Sequence, residues 1–482
     1  MAQAGKARPG FALQRESRLA LCALSVLLSL GIASLRPPPG LDAKGMAALA
    51  IVFWAVVNWV LGVFDDYIVG LVMTLACVVA GVLTFGKAFE VYSSSTWWML
   101  VGVIGIGVAV ERSGLLARLA LRTLLALPNN FAGQCTGLIL SGMALAPALA
   151  AVTGKAAIAA RFVSGMKTAL SLEDHGKYST GLFMSMFVGF VLASPLYMTA
   201  SIGAFVIYGL LPEQYRSGIS WTYWLLASIP ALIPLIGIML AFILRRYNPG
   251  PDTGVSSGRL EEELRALGRP SRNEIVTGAV LVLILAAWVT EPLHHVANAV
   301  PALAGLLALV MTGVLDRKAF DGLPLSMLLF LGAILNIGTV LSETRVDVWV
   351  GDTLSPLLVG ASASPFIFLP VIALLTAILR FVVVSYSALI GVLMVSLMPL
   401  AIRAGVHPWV LGCVLHVAGQ CVFFMPYQNA VYVIAHQATG GRMATWSEAR
   451  VMSLASLVAA VIGLLVATPV WIKMGLVKLP TR

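Results

Sequence analysis

The stretch GQCVFFMPYQNAVYVIAHQATG, residues 419–440, decides how this chain is read. It is apolar as far as Met425, breaks at Pro426 into Tyr427-Gln428-Asn429, and turns apolar again through Ile434. Proline lacks an N–H and clashes with the turn before it, so a helix broken there leaves backbone carbonyls unpaired. In hydrocarbon such groups persist only where protein or a water-filled cavity covers them. Broken spans with polar side chains at the break are how secondary transporters build solute and ion sites near the bilayer midplane. The alternative for one such segment alone is a kinked helix whose amides hold its neighbours together.

Composition places the stretch in a membrane. The 482 residues are 59% hydrophobic and 11% charged, against roughly 25% charged in an ordinary soluble domain, and the mean hydropathy is +0.94. The fold class expected is all-α: a polytopic membrane protein of about eleven transmembrane helices plus two re-entrant helical hairpins in an inverted repeat. The five cysteines, Cys22, Cys77, Cys135, Cys413 and Cys421, lie in apolar segments without CxxC spacing and read as small packing residues. The formal charge of +10 is spread over the ends of apolar runs, which is a topology signal and excludes a nucleic-acid partner. Lys6, Arg8, Arg15 and Arg18 precede the apolar run 19–35, so the N-terminus is expected in the cytoplasm. No small-residue cleavage site follows, and the run reads as a retained first span.

The chain divides into an N-terminal tail with its first span (1–44), a first repeat (45–245), a cytoplasmic linker (246–274), a second repeat (275–475) and a C-terminal tail (476–482). In the first repeat the apolar but Gly- and Pro-studded block 127–166 reads as a hairpin that enters and leaves by one side. The run 180–210 is interrupted at Ser194-Pro195. Trp221 and Trp224 suit an interfacial belt, and the basic amphipathic piece holding Arg118 and Arg122 suits the cytoplasmic surface. The hydrophilic segment 245–274 carries Arg245, Arg246, Arg259, Arg265, Arg269 and Arg272 beside Glu261-Glu262-Glu263 and has room for one short surface helix. In the second repeat the block 355–399 is the second hairpin. With an odd number of crossings Lys473, Lys478 and Arg482 fall outside, against the positive-inside trend.

A fixed offset joins the two halves. Gly102 pairs with Gly332 at 230, Ala157 with Ala388 and Pro195 with Pro426 at 231, and Ser220-Trp221 with Thr445-Trp446 at 225. Five spans and a hairpin per repeat require the copies to be inverted. The duplicated features are the breaks and hairpins, which hydrophobicity alone does not demand.

These features hold the candidate chemistry. Lys155 follows Thr153-Gly154 in the first hairpin, where a helix start and an ammonium would make an anion site. A cation at bilayer depth costs about 3 kcal/mol, so Lys155 and Arg161 either serve a site or snorkel to the interface. Arg380 opens the second tip, with Ser385 and Ser387 close behind. Substrate contacts are expected from Lys155, Thr153, Arg380, Ser385, Ser387, Tyr427, Gln428 and Asn429. The neutral oxygens of Thr153, Ser194, Thr199, Ser385 and Asn429 suit a sodium ion; no other metal and no cofactor is expected. Intramembrane carboxylates are nearly absent apart from boundary ones such as Asp65, Asp66, Glu111 and Glu343.

With the block from Phe89 to Gly114 ending VAVERSGL, the ISWTYW after the first break, MPYQNA, and the downstream TWSEARVMSLASLVAAVIGLLV, the chain over about 45–475 resembles the divalent anion:sodium symporter family of dicarboxylate, citrate and sulfate transporters. The resemblance implies an elevator-type homodimer that holds substrate and sodium between hairpin tips and broken spans. The family's Ser-Asn-Thr tip triplet would fall on Ala151-Val152-Thr153 and near Val384-Ser385-Tyr386, and neither asparagine is present. Lys155 has no counterpart in the triplet and would supply the charge compensation a bound ion otherwise gives.

The function expected is secondary active transport of a small divalent anion, a dicarboxylate first, coupled to sodium, in a homodimer of the bacterial plasma membrane. The alternative is a sodium-independent exchanger, or a proton-coupled carrier of sulfate, sulfonate or carboxylate. A channel would need a continuous polar stripe. An enzyme would need more than His416 four residues before Gln420 and the pair Asp65-Asp66, which supply neither a metal set nor a nucleophile with its base.

Overall fold

The computed structural model describes residues 15–479 except 62, 129, 149–151, 251–256, 322, 351, 354–363 and 384. For a few helical residues, Thr153 and Lys155 among them, it describes the backbone alone. Lys6, Arg8, Ala151, Val384 and Arg482 lie outside the described residues, as does the opening of the second hairpin block.

The chain is helical, at 78% of residues; among the described residues it forms no strand, only an isolated antiparallel bridge between Val406 and Val477. Before the first hairpin come α1 (Arg15–Ser34), α2 (Ala43–Leu61), α3 (Asp66–Val79), α4 (Ser95–Ser113) and α5 (Leu115–Leu125). The hairpin is α6 (Phe131–Leu145) and α7 (Val152–Ala169), and the first broken span is α8 (Lys177–Phe187) and α9 (Ile202–Leu210). The long α10 (Trp221–Arg246) and the linker helix α11 (Ser257–Ala266) follow. The second half repeats the order with α12 (Arg272–Val289), α13 (Ala299–Met311), α14 (Leu325–Glu343), the hairpin α15 (Pro365–Leu379) and α16 (Tyr386–Arg403), the broken span α17 (Pro408–Gln420) and α18 (Ala430–Ala438), and the long α19 (Trp446–Lys473). Short helical turns between them are left unnumbered. Among the described residues seven helices are long and apolar enough to cross a membrane, or eight with the bent pair Phe85–Ser93 and Ser95–Ser113. The helices α6 and α15 have 15 residues each. At about 1.5 Å per residue they reach about 22 Å, short of the roughly 30 Å hydrocarbon core.

The two broken spans are the innermost elements. Every residue from Tyr178 to Leu196, and every residue of α17, is buried. Packing around them is reciprocal: α7 packs on α18 and α16 packs on α9, so each hairpin's second helix seats on the other half's post-break helix. In the same way α4 packs on α13 and α14 on α3, while α10 and α19 pair with each other. Glycine sets the closest approaches. A Cβ on Gly142 of α6 would lie 2.3 Å from the carbonyl carbon of Gly189, and one on Gly102 would lie 2.8 Å from Ala302.

Several expectations are corrected. Trp221 and Trp224 are buried, not interfacial, because their indole N–H groups bond into the first break. Arg118 is buried instead of lying at the surface: Nε meets Glu274 Oε1 at 2.8 Å, Nη2 meets Oε2 at 3.2 Å, and the remaining donors reach the carbonyls of Gly268 and Leu267. The linker end is thereby pinned to α5 and α12. The first break is wider than Ser194-Pro195, since a π turn over Val188–Leu192 precedes it. The hairpin helices run to Ala169 and Arg403, beyond the expected 166 and 399.

Candidate functional site

Each break is closed by side chains of the long helix beside it. After the π turn, Ser194–Leu196 forms a single 3-10 turn, Tyr197 is extended, and a further turn closed by Ala200 N–H on the carbonyl of Tyr197 at 3.2 Å leads to Ser201, which caps α9, its Oγ accepting from Ala204 N–H. The carbonyl of Pro195 accepts from Trp224 Nε1 at 3.1 Å and from the Ser228 hydroxyl at 3.4 Å, both on α10. In the second break the carbonyl of Cys421 accepts from Ser453 at 2.8 Å and Ser456 at 3.2 Å on α19, and Phe423 N–H donates to Ser453 Oγ. Ser228 and Ser453 stand 225 apart, the offset of Ser220-Trp221 and Thr445-Trp446. Those last pairs prove to be matching N-caps of α10 and α19. Helix breaks in the interior are thus paired by protein, as an apolar surround demands.

Each break is also tied to the hairpin of its own half by one hydroxyl. Thr199 donates to the carbonyl of Pro147 at 2.9 Å and accepts from Trp221 Nε1. Tyr427 donates to the carbonyl of Phe381 at 3.2 Å, next to stacked Phe381 and Phe424.

The candidate residues therefore fall into neighbouring groups. At the second tip, Arg380 is buried, donates from Nη1 to the carbonyl of Val383 at 2.9 Å, and lies 5.7 Å from the Tyr386 ring centroid. Ser385 precedes the first residue of α16 and donates to Asp66 Oδ2 at 3.4 Å; Ser387 is half-buried beside it. Tyr427 joins this group through Phe381. Gln428 and Asn429 are buried in the second break: Gln428 Oε1 accepts from Met425 N–H, and Asn429 Oδ1 caps α18 by accepting from Tyr432 N–H. The Gln428 Nε2 group is buried without a hydrogen-bond partner among the described residues. Ser194 donates to the carbonyl of Val191. Lys155 and Thr153 are backbone positions in the first turn of α7, the helix packed on α18, and their side chains lie outside the description. Arg161 is exposed. The oxygens expected to hold sodium are thus spread over both breaks and both tips, with Ser194 and Thr199 in the first break and Asn429 in the second. Among the described residues no cluster of His, Cys, Asp or Glu is set to hold a metal ion.

Sequence reasoning missed a further cluster. His416 on α17 bonds Ser201 on the other half's break through Nε2 at 2.8 Å, and Tyr386 at the second tip through Nδ1. These partners stand 215 and 30 residues away; the sole local signal was Gln420 one turn on, which does bond Tyr386. Missed too was Asp66, a boundary acid that reaches the second tip.

Residues 16–477 fit the family model described as the sodium:sulfate symporter transmembrane region. The chain belongs to that family. As a sodium:sulfate symporter family member it is a membrane transporter of small anionic solutes and not an enzyme. It is 24% identical over 387 residues to the chloroplastic dicarboxylate transporter 1 of Arabidopsis thaliana, covering 78% of this chain and 69% of the relative. It is 23% identical over 425 residues to the sodium-dependent dicarboxylate transporter SdcS of Staphylococcus aureus, covering 81% and 79%. The YdaH transporter of Alcanivorax borkumensis shares the fold at a TM-score of 0.56 and 14% identity, over 96% of this chain and 99% of that one.

Proposed function

We propose that this family member is a secondary active transporter of a small divalent anion, a dicarboxylate before sulfate or sulfonate, coupled to sodium and moving by an elevator-type displacement. The observation that carries the reading is the paired tether, Thr199 to Pro147 and Tyr427 to Phe381, which holds each hairpin tip at its own Pro break. A unit fastened in this way can carry a bound solute as one body past the helices around it. Arg380 at one tip and Lys155 in the first turn of α7 supply positive charge for the anion, with Ser385, Ser387, Gln428 and Asn429 as hydrogen-bonding partners. The names of the relatives from Arabidopsis and Staphylococcus favour a dicarboxylate, and the second also favours sodium. Thr153, Ser194, Thr199, Ser385 and Asn429 are the oxygens from which sodium ligands would be drawn. A homodimer in the plasma membrane with a cytoplasmic N-terminus completes the proposal.

Counterflow tests it. Proteoliposomes loaded with unlabelled succinate should accumulate labelled succinate with saturation and trans-stimulation. Flux that stays linear in concentration without trans-stimulation would mark a channel and end the carrier reading. Equal uptake rates with sodium replaced by choline would end the sodium reading and leave the exchanger.

A further inference from the structure

His416 is fully buried, yet both ring nitrogens face hydroxyl groups. Both tautomers of the neutral ring can be satisfied there. With the proton on Nδ1 the ring donates to the Tyr386 oxygen, whose hydroxyl donates to the carbonyl of His416 at 3.2 Å. Nε2 is then the acceptor, and the Ser201 hydroxyl donates to it. Hydroxyls accept as readily as they donate. A proton arriving at Nε2 therefore needs only a rotation of the Ser201 O–H: Ser201 Oγ then accepts Nε2–H while still accepting Ala204 N–H, and no heavy atom moves. A histidine held merely as packing has no need of two partners that suit both charge states. Glycine keeps the site close-fitting: a Cβ on Gly203 would lie 2.6 Å from His416 Nδ1, and one on Gly419 would lie 2.9 Å from the Tyr386 ring.

The surrounding charge makes protonation conditional. From the end of α15, Arg380 lies 5.7 Å from the Tyr386 ring centroid, whose own centroid is 5.9 Å from that of His416. From α3, Asp66 reaches the tip through Ser385. The second break adds Cys421 and Tyr427. The facing part of α9 presents Ser201 and Gly203, the π and 3-10 turns of the first break carry no ionisable side chain, and α19 presents Ser453 and Ser456. An imidazolium at His416 adds a second cation to the buried surroundings that already hold Arg380, with the Tyr386 ring near both, which is unfavourable. An anion seated at Arg380 removes that repulsion, so anion and proton each raise the other's affinity.

We propose that His416, bridged to Ser201 and Tyr386, is a proton-binding site linked to anion binding at the second tip, so that a proton travels with the anion alongside any sodium. The two halves of the chain share the site, because Ser201 comes from the first break and His416 and Tyr386 from the second half. The proton is taken up by the ring on loading and given up on unloading, and Tyr386, bonded at Nδ1 and half-buried, is the member of the trio that has exposed surface.

This rests on the carrier reading, and the test separates the two. Proteoliposomes containing the full-length protein and trapped pyranine are assayed with labelled succinate and labelled sulfate, sodium being equal on both sides. An inward proton gradient should raise wild-type uptake of at least one probe at least threefold, with acidification of the lumen in step with uptake. His416→Gln should respond less than 1.5-fold. Gradient-driven uptake in wild type without lumen acidification, or an equal response in His416→Gln, overturns the proton site. Counterflow of a probe that no proton gradient stimulates in wild type overturns it as well, without any variant, and leaves the carrier standing. Absence of counterflow for both probes overturns the carrier reading and the proton site with it.

Discussion

Alanine at Gly142 puts a methyl group where main chain runs. Its Cβ would lie 2.3 Å from the Gly189 carbonyl carbon, 2.5 Å from Phe190 N and 2.6 Å from Gly189 O. Carbon contacts begin at about 3.5 Å, so α6 and the π turn of the first break must part by about an ångström. All three atoms belong to backbone, and no side chain can rotate aside. The opposite face is as tight, since a Cβ on Gly189 would lie 2.6 Å from Ile139 Cα. Overpacking of this kind costs about 1–3 kcal/mol, and the rigid neighbours place Gly142→Ala at the upper end. Gly165 in α7 of the same hairpin is the control, because a Cβ there meets nothing within 4 Å. Gly165→Ala should be neutral, or stabilising by about 0.5–1 kcal/mol through helix propensity. The assay is the fraction of purified protein that stays monodisperse on size exclusion after graded heating in detergent, with counterflow on the same samples. Gly142→Ala should lose monodispersity at a lower temperature and exchange more slowly. If it behaves as wild type, or if Gly165→Ala falls as far, the close seating of hairpin on break is not what holds this unit together.

Arg118→Leu should destabilise by about 3–5 kcal/mol, since Glu274 is left buried without its cation; in thermal denaturation Arg118→Leu/Glu274→Leu should lose less than the two single variants summed, and additive losses would refute the coupling. Trp224→Phe removes the indole N–H from the carbonyl of Pro195 and should lower the stability read by the same heating assay by about 1–3 kcal/mol; an unchanged profile would mean that Ser228 alone suffices. Lys155→Gln should weaken anion affinity in counterflow about tenfold or more, by loss of a charge-assisted contact of about 1.5–3 kcal/mol. Unchanged affinity would return Lys155 to the interface.

The architecture was legible where a residue's effect is local. Pro195 and Pro426 stand beside polar clusters in otherwise apolar runs, unlike Pro230, Pro234, Pro370, Pro399 and Pro469, which lie inside helices, and the offset near 230 marked which breaks and hairpins belong together. Ser220 and Thr445 were visible as paired landmarks because helix caps have sequence signatures. What was hidden depends on partners distant in sequence. Trp221 and Trp224 have the composition of an interfacial belt, and only the path of the first break turns them inward. Arg118 sits in a basic amphipathic stretch that suits a membrane surface, until Glu274, 156 residues on, is folded against it. His416 could not announce itself, because a histidine among apolar residues reads alike whether its ring nitrogens meet packing or hydroxyls from other helices.

The exchange of partners between halves, α7 on α18 and α16 on α9, bears on descent. Neither half alone completes the seat of its own hairpin, so a chain of half this length could have made these contacts only with a second copy of itself. Fusion of two such copies would have turned an encounter between molecules into a fixed neighbour. It would also have freed the halves to diverge, one keeping Lys155 and Ser185 where the other, at the same offset of 231, has Tyr386 and His416.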